Sequence, residues 1–179
     1  MRNLAIAVLL AISAAASAQQ RPMSEMQGGC DDYSWNMVRE FQLIGTSPIT
    51  VAALAAPVDE PGWTALDRRL ELRLQPAAQV ELLAEPGRRH DGAEGSRFAG
   101  FVPLTVPRIS SYRISSNQRL WIEVIGPSGA VKSNKFEMQA GCEKLVKSVA
   151  FALQPDTQYW IQLSGSPVPD PVLLITLDR

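Results

Sequence analysis

The residues best suited to acid–base chemistry in this chain are three glutamates in strand-like segments, Glu71, Glu81 and Glu123. Two carboxyl groups at a defined separation across a sugar hydrolyse glycosidic bonds, and glutamates that share a sheet face could supply such a pair. Similar strand contexts hold three arginines, Arg73, Arg113 and Arg119. Opposite charges on neighbouring strands pair with one another. We therefore predict cross-strand ion pairs and no catalytic residue, with a small hydrolase using an Asp/Glu pair as the alternative.

The remaining acidic pairs are neighbours in sequence, Asp31 with Asp32 and Asp59 with Glu60. Aspartate accepts hydrogen bonds from the free N–H groups at a helix start and is common in turns. The first pair therefore predicts a helix N-terminus and the second predicts a turn.

The single histidine, His90, restricts two other kinds of site. A Ser-His-Asp triad could use only this imidazole, beside Asp91, and no GxSxG sequence supplies a nucleophile. A metal site would need further ligands at matching spacing, and no glycine-rich loop is placed to hold a phosphate. We predict a solvated loop around His90, no metal and no cofactor. Ser164 and Ser166 in LSGSP are typical turn residues.

Aromatic side chains could stack on a sugar ring or on an apolar patch of a partner. Trp121 has the opposite parity to the aliphatic residues of RLWIEVI, so it points away from the core if they face it. Trp160 follows Tyr159, so one of the two faces outward or toward the preceding connector. We predict Trp121, Trp160 and Tyr159 as ligand-facing aromatics. The alternative is that an N-terminal helix carrying Trp35 and Phe41 covers this face.

Two further groups of residues have structural interpretations. Cys30 and Cys142 are an even number of cysteines, which predicts a disulfide in an oxidising compartment, with two buried thiols as the alternative. Four lysines lie near the second cysteine, Lys132, Lys135, Lys144 and Lys147. Lysine discourages pairing at an exposed sheet edge, so we predict edge protection there and no ligand site.

The first eighteen residues have the features of a secretory signal: Arg2, an apolar run from Leu4 to Ile12, and the small residues that end at Ala18. The apolar run is shorter than the roughly 20 residues of a spanning helix. We expect cleavage after Ala18, no membrane span, and a periplasmic or secreted protein. The formal net charge is −1, and loss of Arg2 makes it one unit more negative, which gives nucleic acid no basic surface to bind.

The elements that must position these residues begin after a polar, flexible leader at 19–30. Apolar spacings of three to four predict one amphipathic helix from Asp32 to Leu43, ended by Gly45. Three prolines then predict an extended connector, in which residues 51–56 fit either a short strand or a helical turn. Trp63 is expected to pack on the main body.

From Leu70 the apolar period changes to two, and the alternation returns at Val80 and Leu82. The last segment, PVLLITL, is apolar on both parities, which predicts a central strand covered on both faces. About eight or nine strands at short intervals predict a mainly β chain, an antiparallel β-sandwich with one N-terminal α-helix. The organisation is a signal at 1–18, the leader at 19–30, helix and connector at 31–69, and a β-sandwich at 70–179.

The segments RFAGFVPLTVPRISSYRIS, RLWIEVIGPSG and GCEKLVKSVAFALQPDTQYWIQLSGS together resemble a family of small exported proteobacterial proteins of unassigned role. The family has one Cys near the mature start and one in a Gly-Cys-Glu setting, which Cys30 and Cys142 match. Its strand pattern is similar to the jelly-roll β-sandwich of bacterial pre-peptidase C-terminal domains. Some members have been named homogentisate dioxygenases, but an iron site of that kind needs two His and a carboxylate. With His90 alone, we do not expect that activity.

These observations favour an exported β-sandwich that acts as a binding or accessory module, with an envelope glycan or an envelope protein as its partner. A small extracytoplasmic hydrolase and a structural or inhibitory protein acting through an interface are the alternatives.

Overall fold

The computed structural model of the chain describes residues 26–59, 62, 64–85 and 97–178. These residues form a mainly β protein with one helix, α1 (Val38–Ile44), and short 3-10 turns at Cys30–Asp32 and Ala77–Gln79. The strands are β1 (Ile49–Ala52), β2 (Leu70–Arg73), β3 (Gln75–Pro76), β4 (Phe98–Leu104), β5 (Ser110–Ser116), β6 (Trp121–Gly126), β7 (Gly129–Val131), β8 (Ser133–Met138), β9 (Lys147–Leu153), β10 (Tyr159–Ser166) and β11 (Val172–Leu177).

Two sheets form the sandwich. The six-stranded sheet has the order β1-β2-β11-β5-β9-β8, and the five-stranded sheet has the order β3-β4-β10-β6-β7. All pairs are antiparallel except β1 with β2. The described strands number more than the eight or nine expected because short ones, such as β3 and β7, give too little alternation to count.

The core lies between the sheets and takes every second side chain from both. Leu70, Leu72 and Leu74 are all buried there, as their period of two predicts. The prediction for the last strand is also confirmed. β11 lies inside the six-stranded sheet, with Leu173 and Ile175 in the core and Leu174 in a second apolar cluster on the opposite face.

That second cluster is covered by the N-terminal strap, which we define as residues 26–45. Met37 and Leu43 of the strap pack on Leu145, Val172 and Leu174. The Cys30–Cys142 disulfide predicted from the sequence joins the strap to the sheet, with a Cα–Cα distance of 4.4 Å. The strap therefore covers the part of the outer face of the six-stranded sheet that is formed by β11 and the loop before β9.

The helix is shorter at its start than the predicted Asp32–Leu43. The backbone between the 3-10 turn and α1 bonds to the sheet instead of to itself: Ser34 N–H donates to Glu137 Oε1 at 2.7 Å, and the Asn36 carbonyl accepts from Arg113 at 2.9 Å. These tertiary hydrogen bonds replace the first helical turns. Gly45 is the C-cap, as expected.

Two other segments differ from expectation. Residues 26–30, placed in a flexible leader, are held to the loop before β9, where Ala140 N–H donates to the Met26 carbonyl at 3.0 Å and Gly141 N–H to the Gly28 carbonyl at 2.9 Å. Residues 80–85, where Val80 and Leu82 suggested a strand, form no strand and cross the outer face of the five-stranded sheet. Of the undecided residues 51–56, Val51 and Ala52 belong to β1, which pairs with β2, and none of the six is helical.

Candidate functional site

The outer face of the five-stranded sheet carries an unusual row of side chains. Across β10 and β6, Trp160 lies opposite Ile125, Gln162 opposite Glu123, and Ser164 opposite Trp121. These residues alternate with core residues of the same strands, so they share the face that points away from the sandwich interior. One end of the row is apolar and the other is polar and aromatic.

The apolar end is closed. Trp160 clusters with Phe101 and Ile125, and Leu54 of the connector and Val80 pack over them. Trp160 is 8% exposed. This end of the face is therefore a small satellite core beneath the connector and residues 80–85.

Gln162 marks the edge of that cover and is fully buried. Its Oε1 accepts hydrogen bonds from Leu83 N–H at 2.7 Å and Ala84 N–H at 3.1 Å. Its Nε2 donates to the Ala84 carbonyl at 2.8 Å and to Glu123 Oε2 at 2.9 Å. A single amide thus fixes the covering segment and orients the neighbouring carboxylate.

Glu123 and Lys147 form a partly buried pair of opposite charges beside this amide. Burial raises the pKa of Glu123, while the hydrogen bond from Gln162 and the charge of Lys147 act in the opposite direction. Burial lowers the pKa of Lys147 to about 8, and Glu123 partly offsets this. Perturbed pKa values from burial and a specific charged neighbour occur at functional sites, although structural ion pairs produce them too.

Lys147 also joins the pair to Trp121. Its Nζ lies 4.6 Å from the centroid of the Trp121 ring and donates to the Leu120 carbonyl at 3.1 Å. An ammonium group over an indole ring is stabilised by the ring quadrupole, most strongly where water is excluded. Trp121, Glu123, Lys147 and Gln162 are therefore one connected group, which we call the Trp121 cluster.

The Trp121 cluster combines an aromatic ring, a hydrogen-bond acceptor and a cationic donor. Such a set can stack on the C–H face of a sugar and exchange hydrogen bonds with its hydroxyl groups. A carboxyl group with a raised pKa could also act as a general acid. The described contacts of Glu123 are with an amide and an amine and include no second carboxyl group.

Of the three predicted aromatics, Trp121 alone is partly exposed. Trp160 is in the satellite core. Tyr159 lies in the main core, and its hydroxyl accepts from Gln154 N–H at 3.1 Å. The alternative that Trp35 and Phe41 cover the Trp121 face is wrong, because the strap that carries them packs on the other sheet.

The predicted charge pairs are arranged differently. Glu71 lies on β2 of one sheet and Glu123 on β6 of the other, whereas Glu81 and Arg119 lie outside the described strands. Two of the arginines predicted to pair with these glutamates pair with other carboxylates. Arg73 lies 3.9 Å from Asp170, and Arg113 bonds Glu40 and Asp178. The three glutamates therefore do not share a face, because strand parity alone does not show which sheet a strand joins.

The lysines have three different roles. β8 is an edge strand and carries Lys135, and Lys132 is exposed just before it, which agrees with edge protection. The exposed Lys144 lies 5.9 Å from the Phe41 ring of the strap. Lys147 lies in the Trp121 cluster, so the expectation that it protects an edge is wrong.

Sequence reasoning missed Gln162 and Lys147 as members of a site. Gln162 occupies a polar position in an otherwise apolar strand, YWIQL, which is a signal for a buried hydrogen-bonding role. Lys147 gives no such signal, because only the fold brings the start of β9 to the start of β6.

Several expectations lie outside the described residues. They concern the signal peptide, most of the leader, Glu60, Trp63 and the loop around His90. Within the part of the chain that is described, no group of three or more His, Cys, Asp or Glu residues could hold a metal ion. None of its helices is long and apolar enough to cross a membrane.

Comparison with known proteins adds no relative. No family model matches the chain, and no curated protein or solved structure matches it. The class is therefore defined by the fold alone, a disulfide-linked two-sheet β-sandwich whose N-terminal strap covers one sheet.

Proposed function

We propose that this protein is an exported, non-catalytic β-sandwich module that binds a glycan of the cell envelope at the Trp121 cluster. The observation that supports this most is the grouping of Trp121, Glu123 and Lys147 outside the core, at the end of the face that residues 80–85 leave uncovered. Trp121 supplies an aromatic ring, and Glu123 and Lys147 supply an acceptor and a cation whose pKa values are shifted. Together these groups offer a ligand more than a packing contact.

Export is supported by two observations. The disulfide is typical of proteins that fold in oxidising compartments. The first eighteen residues match the pattern of a cleaved signal peptide, which would place the mature chain in the periplasm or the medium.

A glycan is favoured over other envelope ligands by the chemistry of the cluster. Trp121 offers an apolar ring to stack on the sugar, Glu123 accepts from its hydroxyl groups, and Lys147 donates to them. A neutral or weakly acidic sugar would meet no net charge from the Glu123–Lys147 pair.

The hydrolase alternative draws its support from the raised pKa of Glu123, since a protonated carboxyl group could act as a general acid. Glycoside hydrolysis needs a second carboxylate at about 5 to 10 Å. A protein partner at the same face is the third candidate.

The test measures thermal unfolding and tryptophan fluorescence of the mature, oxidised protein with peptidoglycan fragments, simple sugars and total envelope extract. A ligand that binds only the folded state raises its melting temperature. We expect a glycan to raise it in the wild type and in the exposed-lysine control Lys132→Met, but not in Trp121→Ala or Lys147→Met.

Other results would overturn the proposal. A response to the extract alone would indicate a protein partner. Release of sugar products, abolished by Glu123→Gln, would indicate a hydrolase. Equal responses of the wild type and Trp121→Ala would place binding elsewhere.

A further inference from the structure

A cleft of about 520 Å³ lies on the opposite side of the molecule, between α1 and the six-stranded sheet. Glu40 and Arg113 line it, Val38 and Gln42 contribute from the helix, and Asp67 contributes from the turn before β2. Small-molecule sites in proteins commonly have volumes of a few hundred cubic ångströms, so the cleft can hold a molecule the size of a monosaccharide.

A buried carboxylate lies at this cleft. Glu40 is 1% exposed. Its Oε1 accepts from Arg113 Nη1 at 3.0 Å and from Thr176 Oγ1 at 2.6 Å. Its Oε2 has no hydrogen-bond partner among the described residues. A buried carboxylate oxygen without a donor is costly, which makes this atom a candidate acceptor for a bound group.

Arg113 complements it. Nη1 donates to the Asn36 carbonyl as well as to Glu40, and Nη2 donates to Asp178 Oδ1 at 2.7 Å. The guanidinium also lies 5.0 Å from the Trp35 ring centroid. Its Nε is buried without a partner in the described structure. The two residues thus offer one unused acceptor and one unused donor.

The charges around the cleft balance. The carboxylates of Glu40 and Asp178 are balanced by Arg113 and Lys135. Arg39 pairs with Asp67 at 3.0 Å. A cation or an anion would have to break one of these pairs, whereas a neutral molecule would not. Val38, which is 60% exposed, adds an apolar contact beside them.

We propose that this cleft is a second ligand site, which takes a neutral polyhydroxyl molecule of monosaccharide size. Hydroxyl groups of the ligand would satisfy the two unpaired atoms, because one hydroxyl can donate to Glu40 Oε2 and another can accept from Arg113 Nε. The ring or carbon chain of the ligand then contacts Val38, and its remaining hydroxyls face Gln42. This site does not depend on the Trp121 cluster, because the two groups share no residue.

The test is a titration of the ¹⁵N-labelled mature, oxidised protein with glucose, N-acetylglucosamine and myo-inositol, followed by amide chemical shifts. At least one neutral probe is expected to cause saturable shifts at residues 36–42 and 67. Glucosamine and glucuronate are expected to bind at least tenfold more weakly, because the first carries a net positive charge and the second a net negative charge.

Two variants locate the binding. Glu40→Gln places an amide where the free oxygen lies, and we expect at least a tenfold loss of affinity. Since a buried substitution can unfold the protein, Val38→Trp is the second variant, because it fills the mouth from an exposed position. Val58→Trp, at another exposed valine, is its control and is expected to bind as the wild type does.

Three outcomes would overturn the inference. They are no saturable shift with any neutral probe, equal binding by Val38→Trp and Val58→Trp, and a preference for a charged probe. Shifts confined to residues 121–123 and 147 would also overturn it and would instead support the glycan site proposed above, so the two proposals fail separately.

Discussion

Lys147 is an ionisable group whose folded environment disfavours its charge. Its pKa falls from 10.5 to about 8 because burial outweighs the attraction of Glu123. Below about pH 8 both the folded and the unfolded states carry the charge, and the folded state bears the cost. Between about pH 8 and 10.5 the unfolded state binds more protons, so this group makes the free energy of unfolding rise with pH.

We therefore expect the difference in unfolding free energy, wild type minus Lys147→Met, to increase between pH 8 and 10, by about 3 kcal/mol at most. Urea denaturation at several pH values measures it. Burial and the charge of Glu137 raise the pKa of the Tyr33 phenol, so its contribution to the unfolding free energy has the opposite sign. Both proteins contain Tyr33, so this contribution cancels in the difference. A difference that is flat with pH would contradict the shift.

The Arg113 guanidinium provides a second residue-scale prediction. It is 3% exposed and bonds the carboxylates of Glu40 and Asp178. Removing one partner of a buried ion pair leaves an uncompensated charge, at a cost of about 3 to 5 kcal/mol. We expect Arg113→Met to lose about that much unfolding free energy by urea denaturation.

The exposed Arg73–Asp170 pair is the matched control, because its side chains are 59% and 47% exposed. Arg73→Met should cost well under about 1 kcal/mol. The double variant Arg113→Met/Glu40→Met should recover part of the loss, since it also removes a buried charge. Equal costs for the two arginine variants would show that the Arg113 network contributes little.

Residue roles were harder to predict than residue environments. Trp121 was correctly placed on an outer face because parity is a local property. The charged partners of Lys147 and Arg113 were not predictable, because they lie 24 to 73 positions away in sequence and depend on which sheet each strand joins. Charge pairing therefore needs the topology, which strand periodicity does not supply.

At the scale of elements, one close contact fixes the connector on the five-stranded sheet. Leu54 exchanges two backbone hydrogen bonds with Phe101, at 2.9 and 2.8 Å. This approach is possible because Gly100 has no side chain: a Cβ there would lie 2.8 Å from Ala53 Cβ and 3.3 Å from the Leu54 carbonyl oxygen.

Gly100→Ala is therefore expected to destabilise the protein by about 1 to 3 kcal/mol, since the connector must shift to admit one methyl group. Thermal or urea unfolding measures the loss. Gly45→Ala is the control, because its new Cβ would lie 3.4 Å from the Gln42 carbonyl oxygen and its φ of −77° suits alanine. A neutral Gly100→Ala would mean that the connector is not held there.

The elements themselves were largely predictable from the sequence. The alternation from Leu70 and the doubly apolar PVLLITL identified β2 and β11 correctly. The predicted helix start and the predicted strand at Val80–Leu82 were wrong. In both segments the backbone or the side chains contact a sheet instead of forming a regular element. Local periodicity fails where tertiary hydrogen bonds, such as those of Ser34 and Gln162, replace local ones.

At the scale of the whole molecule, the sandwich has two outer faces that are closed in different ways. The five-stranded sheet is covered only at its apolar end by the connector and residues 80–85. The six-stranded sheet is covered by the strap, which is held by the disulfide, by the fully buried Gln139 and by the Arg113 network. Both proposed ligand sites lie where one of these covers meets its sheet.

The strap is therefore expected to be part of the fold. A chain that begins at Thr46, with Cys142→Ser to remove the free thiol, should expose Leu145 and Leu174, bind a hydrophobic dye and self-associate. Dye fluorescence and sedimentation measure this. The control is the chain from Gln19 onward with Cys30→Ser and Cys142→Ser, which lacks the cross-link but keeps the strap. It should lose about 2 to 5 kcal/mol of unfolding free energy yet remain monomeric and bind no dye. If the shortened chain also stayed monomeric without binding dye, the sandwich would be stable without its strap. The strap would then be needed only to form the α1 cleft.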